Sequence, residues 1–298
     1  MIPRGTLAPF VVPGLFVLLW STGFIGARLG LPHAEPLTFL SLRYLAVLML
    51  MLPLTLIVRA NWPATWQDTK HIAIAGALIQ GGYLGSVFSA LHAGMSAGVV
   101  ALIVGMQPLL TAAAAGHLLG ERVALRQWTG LALGLAGVAL VVQQKIALHS
   151  LGGASLALAL LALASITLGT LYQKRFCPVF DVRSGSVIQF AAALTVTLPL
   201  AWVFESMQVR WTGEFVFALG WLVLVLSVGA TTLLFRLIAR GAATRVTSLF
   251  YLTPAITAIM AWLMFDETLS AVALAGMAIA VAGVALVNPV PRPVAVRA

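Results

Sequence analysis

Ten apolar runs of about 18 to 25 residues follow one another with only short connections, and a helix of about 20 residues is what crosses a hydrocarbon core of about 30 Å. A chain patterned in this way has one solvent in which it folds, the lipid bilayer. Its composition agrees: 61% of residues are hydrophobic, 8% are charged and the mean hydropathy is +1.05, against roughly 25% charged residues in a soluble domain. The runs lack the apolar-polar alternation of a barrel strand and read as helices. Spans are expected near 10–27, 37–58, 72–93, 97–119, 125–143, 153–173, 184–204, 215–239, 244–265 and 270–288. The first span follows the basic Arg4 as a signal peptide would, but its apolar stretch is long for one and the pattern continues, so it is read as retained.

The single cysteine, Cys177, excludes an internal disulfide and a multi-cysteine metal site. The net charge of +9 is explained by where the basic residues fall. With the N-terminus inside, Arg4, Arg59, Lys70, Arg122, Arg126, Lys174, Arg175, Arg183, Arg236, Arg240, Arg245, Arg292 and Arg297 are cytoplasmic, whereas Arg28, Lys145 and Arg210 are outside. This asymmetry orients the chain with both termini in the cytoplasm and removes the need for a nucleic-acid partner.

Shifted by 146 residues, the chain superposes on itself. Pro108 meets Pro254, Glu121 meets Glu267, Gly130 meets Gly276, and "AGVALV" recurs at 136–141 and 282–287. About fifteen identities fall in 47 aligned positions without a gap, the mark of an internal duplication. The same register pairs Gly23 with Gly169, Pro32 with Pro178 and Pro53 with Pro199, so the repeats divide the chain at 1–146 and 147–298. Each carries five spans. Because five is odd, the second copy enters the bilayer from the opposite side, and the basic residues have switched loops to match: Arg59, Lys70, Arg122 and Arg126 align with Glu205, Val216, Thr268 and Val272. The expected fold is an all-α membrane protein of ten transmembrane helices in two inverted five-helix repeats.

Pro108 and Pro254 fall well inside spans four and nine. Each removes a backbone N–H and crowds the carbonyl four residues earlier, at Val104 and Phe250, so a kink or loosened turn is expected. In lipid the freed groups must face protein, water or a ligand. A lone intramembrane proline usually bends a helix to pack, but a symmetric pair in inverted repeats points to a midplane substrate site and alternating access. Glu121 and Glu267 close the same two spans. They either cap the following helix or couple transport to protons, and their position at the helix ends favours capping. His117 lies one turn before Glu121, but its counterpart is Leu263.

Arg43 is the one basic residue well inside a span. It either binds a substrate carboxylate or snorkels outward to pair with Glu35. Candidate pocket residues are Trp20, Ser21 and Thr22 in span one, Gln80 and Tyr83 in span three, Gln107 in span four, Tyr172 in span six, Gln189 in span seven, and Tyr251 and Thr253 in span nine. Taken together they suit a small amphipathic metabolite; taken singly, each also fits core packing or an interfacial belt. In spans five and ten, "GLALGLAGVAL" (130–140) and "GMAIAVAGVAL" (276–286) hold many small residues and nothing polar. Gly130 and Gly134 offer a surface for close helix contact, within the monomer or between the copies of a homodimer. An enzyme finds few candidates: no HExxH or aspartate-rich motif is present, and "GGAS" at 152–155 near His149 only begins a helix. Neither a ring-forming acidic motif nor a filter-like loop supports a channel. No cofactor or metal is expected.

The mid-helix proline followed by "LLGER" or "MFDET" and a glycine-containing span ending in "AGVALV" resembles the EamA-type transporters of the drug/metabolite transporter superfamily. So does "LLWSTGFIGARLGL" (18–31) followed by "FLSLRY" (39–44). The resemblance runs over essentially the full chain. It implies ten helices in two inverted repeats and a cavity lined mainly by spans one, three, four, six, eight and nine, with spans five and ten peripheral. It also implies export of small metabolites across the plasma membrane, which in a bacterium is the cytoplasmic membrane. It names no substrate.

Overall fold

The computed structural model describes residues 8–95, 100, 103–120, 122–143, 152–177, 179–240, 243–265 and 270–287. Over these residues the protein is nearly all helix, with no strand beyond an isolated bridge between Ala34 and Val209. The helices are α1 (Ala8–Gly30), α2 (Pro36–Ile57), α3 (Trp66–His92), α4 (Gln107–Leu119), α5 (Leu125–Val142), α6 (Gly153–Phe176) and α7 (Val182–Phe204), then α8, which runs on through Gly213–Trp221, Leu222–Ala230 and Thr231–Arg240. They are followed by α9, made of Ala243–Ser248, Leu249–Leu252 and Thr253–Phe265, and by α10 (Ala271–Val287). Five of them, α2, α3, α6, α7 and α8, are long and apolar enough to cross a membrane. Helices lie at the expected spans, except that α3 begins six residues earlier, at Trp66, and that α4 begins at Gln107, with Pro108 in its first turn rather than in the middle of a continuous helix; residues 97–99 and 101–102 of the fourth expected span lie outside the described residues.

The early start of α3 has a local cause. The Thr65 hydroxyl accepts the Asp68 N–H at 3.1 Å, and Asp68 places a negative charge in the first turn. Helices α2 and α7 cap each other. Pro36 opens α2, where its missing N–H costs nothing. The Leu37 and Thr38 N–H groups donate at 2.7 Å each to the Glu205 carboxylate, which follows the last residue of α7. Glu35 in turn accepts from the Ser206 N–H at 2.6 Å. At the far end of the pair, Asp181 caps α7 and accepts from the Asn61 N–H at 3.1 Å. The shift of 146 carries Glu35 onto Asp181, so both helices start from an acidic residue that reaches the chain leaving the other. Helices α2 and α7 therefore run antiparallel.

Small residues set the closest approaches. A Cβ on Gly130 would lie 2.6 Å from the Gly283 carbonyl oxygen, and a Cβ on Gly276 would lie 2.7 Å from that of Gly137. Under the 146-residue shift these two contacts are the same contact, since Gly130 maps to Gly276 and Gly137 to Gly283. The glycines of α5 thus pack inside the monomer, against α10, with the helices antiparallel. Tyr44 of α2 faces its own equivalent, Phe190 of α7, with ring centroids 5.7 Å apart.

Both long interior helices change pitch along their length. Ala77–Leu84 of α3 and Leu222–Ala230 of α8 are π-helical, and the shift of 146 carries the first onto the second to within one residue. Each lies against a glycine of the opposite half. A Cβ on Gly169 of α6 would meet Ile79 Cγ1 at 2.6 Å, and one on Gly23 of α1 would meet Leu226 Cδ2 at 2.9 Å. Glu121 and Glu267 lie outside the described residues, as does the side chain of His117.

Two outcomes follow from this packing. Gly137→Ala places a methyl group 2.5 Å from the Ala280 backbone nitrogen and should cost about 1–3 kcal/mol through overpacking. Gly153→Ala meets nothing within 4 Å and should leave the thermal midpoint of the purified protein unchanged. The Asp181 carboxyl, held by Arg183 and then by the Arg183 and Asn61 N–H groups, is lowered from 3.8 to about 2. A lowered carboxylate stabilises the fold fully above its unfolded value and loses that contribution as pH falls through its folded one. Thermal stability should therefore decline between about pH 4 and pH 2, and Asp181→Asn should flatten the decline in a pH series of melting curves.

Candidate functional site

The breaks that precede the two prolines open onto one place, although Pro108 itself lines neither cavity there. Before Pro108 the chain is helical at Ile103 and Val104, turns at Gly105 and Met106, and resumes as α4 at Gln107, with the Met106 N–H donating to the Ile103 carbonyl at 3.0 Å. Before Pro254, residues Leu249–Leu252 tighten to a 3-10 turn. Each proline sits in the first turn of the α-segment that follows, where it has no N–H to lose, so the break falls just before it. Val104, Gly105, Phe250, Thr253 and Pro254 together wall a cavity of about 40 Å³, closed on its other side by Trp20 and Tyr83.

A second cavity, of about 30 Å³, shares the Trp20 and Tyr83 wall and is reached by Gly23, Arg43, Phe88 and Leu226. Trp20 is the hinge between the two. It packs edge-on against Phe250 at 5.4 Å and tilted on Phe16 at 5.4 Å. Ligand sites for metabolites usually span about 300–1,000 Å³, so the centre is nearly closed in this conformation.

Polar contacts hold both ends. At one, Glu205 and Glu35 bridge α2 and α7, His33 lies 3.2 Å from Glu214, and Arg210 donates to the Pro32 carbonyl. At the other, Ser184 donates to the Asn61 carbonyl at 2.6 Å, Lys174 to those of Ile238 and Ala239, and Arg175 to that of Leu118 at 3.1 Å.

Arg43 is 1% exposed. Its Nε donates to the Ser227 hydroxyl at 2.8 Å across the π-helical stretch of α8, and its Nη1 is buried without a partner. The outward pairing with Glu35 is not made, because Glu35 is engaged by Ser206.

Of the candidate residues, Trp20, Arg43, Tyr83, Thr253 and Pro254 meet at the cleft. Ser21 stands beside it, donating to the Val17 and Thr253 carbonyls. The others face elsewhere. Thr22 accepts from the Trp221 indole at 3.0 Å on a different side of α1, and Tyr172 bonds His71 at 2.7 Å and packs on Phe176. Gln189 donates to Gln173 at 3.1 Å, and Gln107 to Thr170 at 3.3 Å. The Gln80 amide is buried with neither end bonded. Tyr251 fills the space above Gly134, where a Cβ would lie 2.3 Å from its ring. Spans expected to line the cavity include the sixth, yet α6 supplies no wall residue to either cavity, while α2 supplies Arg43. Phe250, Val104 and Ser227 were not foreseen. Val104 and Phe250 carried a signal, as the residues four before each proline; Ser227 carried none.

A larger hollow of about 240 Å³ lies apart from the cleft, between residues 61–64 and 176–181. Burial and the charge of Asp68 push the Cys177 thiol on its wall up to about 12, which keeps it protonated and unreactive. Among the described residues no group of His, Cys, Asp and Glu is placed to hold a metal ion.

Comparison with known proteins adds the family. Residues 14–143 and 153–288 each match the EamA-like transporter family, one match per half. The chain is 28% identical to the uncharacterized transporter YvbV of Bacillus subtilis, covering 91% of this chain and 88% of that protein. It is 24% identical to a probable amino-acid metabolite efflux pump of Salmonella typhimurium, covering 90% and 91%. It is 25% identical to the uncharacterized inner membrane transporter YedA of Escherichia coli K12, covering 91% and 87%. A protein crystal structure shares the fold with a TM-score of 0.79 at 18% identity, over 97% of this chain and all of that one. With two family matches that between them span nearly the whole chain, this membrane-integral protein belongs to the EamA-like transporter family.

Proposed function

We propose that the protein is a carrier that exports small amphipathic metabolites from the cytoplasm by alternating access. In this reading ten helices form two inverted five-helix repeats, residues 1–146 and 147–298, with both termini in the cytoplasm. One observation carries it: the two helix interruptions, 146 residues apart, wall the same central cavity. Paired broken helices at matching positions of two repeats are the signature of a midplane substrate site. The reciprocal antiparallel contacts of α5 with α10 and of α2 with α7 support the inverted arrangement, and so does a family match to each half. The efflux pump of Salmonella typhimurium among the relatives supports the direction.

The near-closed centre is an intermediate of the cycle, and its neighbours are reached by loosening one set of end contacts at a time. The substrate meets an aromatic and aliphatic wall with one cation. Apolar burial supplies the affinity, and the few polar groups set the orientation.

The purified protein in vesicles preloaded with a ligand found by thermal stabilisation should take up labelled ligand faster than empty vesicles do. A leak without saturation or counterflow would replace the carrier with a pore. Pro108→Ala and Pro254→Ala supply an N–H that lets the helix run on through the break to the Val104 or Phe250 carbonyl, adding a hydrogen bond worth about 1 kcal/mol that the cycle must then open. Exchange should slow by roughly five- to tenfold at unchanged folded yield; unaltered rates would strip the prolines of this role. Tags near residues 146 and 298 should lie on opposite membrane faces, and both on one face would end the inverted reading.

A further inference from the structure

We infer that Arg43 is the anchor for the carboxylate of an anionic, apolar-bodied metabolite, and that the cleft selects organic monoanions over their neutral counterparts. The inference rests on the central-cleft carrier reading and adds the substrate's charge to it.

A guanidinium carries five N–H donors and is always charged. Arg43 is 1% exposed, donates from Nε to Ser227 and leaves Nη1 buried and unpaired, and its side chain is among those lining a cavity. Its contact with the neighbouring Tyr44 ring, at 5.9 Å, is the other interaction it makes with an electron-rich group. None of the described acidic side chains neutralises it. Glu35 is held by Ser206, Asp68 by Thr65, Asp181 by Arg183 and Asn61, Glu205 by the start of α2, and Glu214 by His33.

An unpaired buried charge is costly, and a neutral amide would make the same bond to Ser227 without that cost. The second half shows this alternative. The shift of 146 carries Arg43 onto Gln189, which is buried and bonded to Gln173. The charge therefore stands in one half of the chain only, where an anion supplies the missing counter-charge through charge-assisted hydrogen bonds.

The geometry also fixes the rest of the ligand. The cavity at Arg43 shares the Trp20 and Tyr83 wall with the cavity at the two helix breaks. A carboxylate at Arg43 thus points its body along Trp20 toward Phe250 and Pro254, which are apolar. Among the described residues lining either cavity there is no carboxylate to receive a cationic group.

The test compares 3-phenylpropanoate with 3-phenylpropanamide, equal in size and different in charge, as equilibrium ligands of the protein in lipid nanodiscs at pH 7. The carboxylate should raise the melting temperature at concentrations about tenfold or more below those the amide needs. Arg43→Gln should erase that preference and Arg43→Lys should keep part of it. Equal effects of the two ligands on the wild type, including none from either, would overturn the assignment without any variant having to fold. So would a preference that survives Arg43→Gln. Binding at equilibrium needs no turnover, so loss of counterflow with the preference intact defeats the carrier and leaves the anion site. Counterflow of a neutral ligand without the preference does the reverse.

Discussion

Inside a bilayer the backbone has only the protein to bond to, and each unsatisfied N–H or carbonyl costs several kcal/mol. That constraint makes the chain helical almost throughout and makes any departure from a regular helix informative. Here the departures are few and collected. The turn at Gly105 and Met106, the tight turn at Leu249–Leu252 and the π-helical stretches of α3 and α8 all lie in or beside the central cleft. Irregular backbone is tolerated there because it faces a cavity and other helices rather than lipid. A function that needs helices to loosen and re-form has its movable parts where the solvent penalty is least.

Between regular helices, lipid offers no hydrophobic driving force, and association depends on how closely backbones approach. Glycine provides that approach at Gly130, Gly137, Gly276 and Gly283 in one seam, and at Gly23 and Gly169 against the π-helical stretches. The first set is rigid, glycine against glycine backbone. At Gly23 the neighbour is the end of the Leu226 side chain, which can shift, whereas Gly169 meets Ile79 Cγ1, Leu78 Cβ and the Ile79 backbone nitrogen.

Much of this was legible in the sequence. Apolar length placed the helices to within a few residues, and the 146-residue register identified equivalent positions that then proved to touch, such as Tyr44 and Phe190. The prolines located the cleft because their chemistry is local: a missing N–H acts wherever it sits. The π-helical stretches left no trace, since "ALIQGGYL" and "LVLVLSVGA" look like any apolar helix and the wider pitch comes from packing. Polar and aromatic residues were poor guides to the cleft for the same reason. Nothing local tells Tyr83, which faces it, from Tyr251, which fills the space over Gly134, or Arg43's acceptor Ser227 from any other serine.

The seam between α5 and α10 has a bearing on descent. A patch that fits its own duplicate needs nothing but a second copy of itself, so on the two-repeat reading a single five-helix ancestor already had this contact as a pair of separate chains. Such a pair would be obliged to carry every side chain twice. On that reading a single chain is free of the obligation, and here position 43 holds a charged arginine while its equivalent at 189 holds an amide.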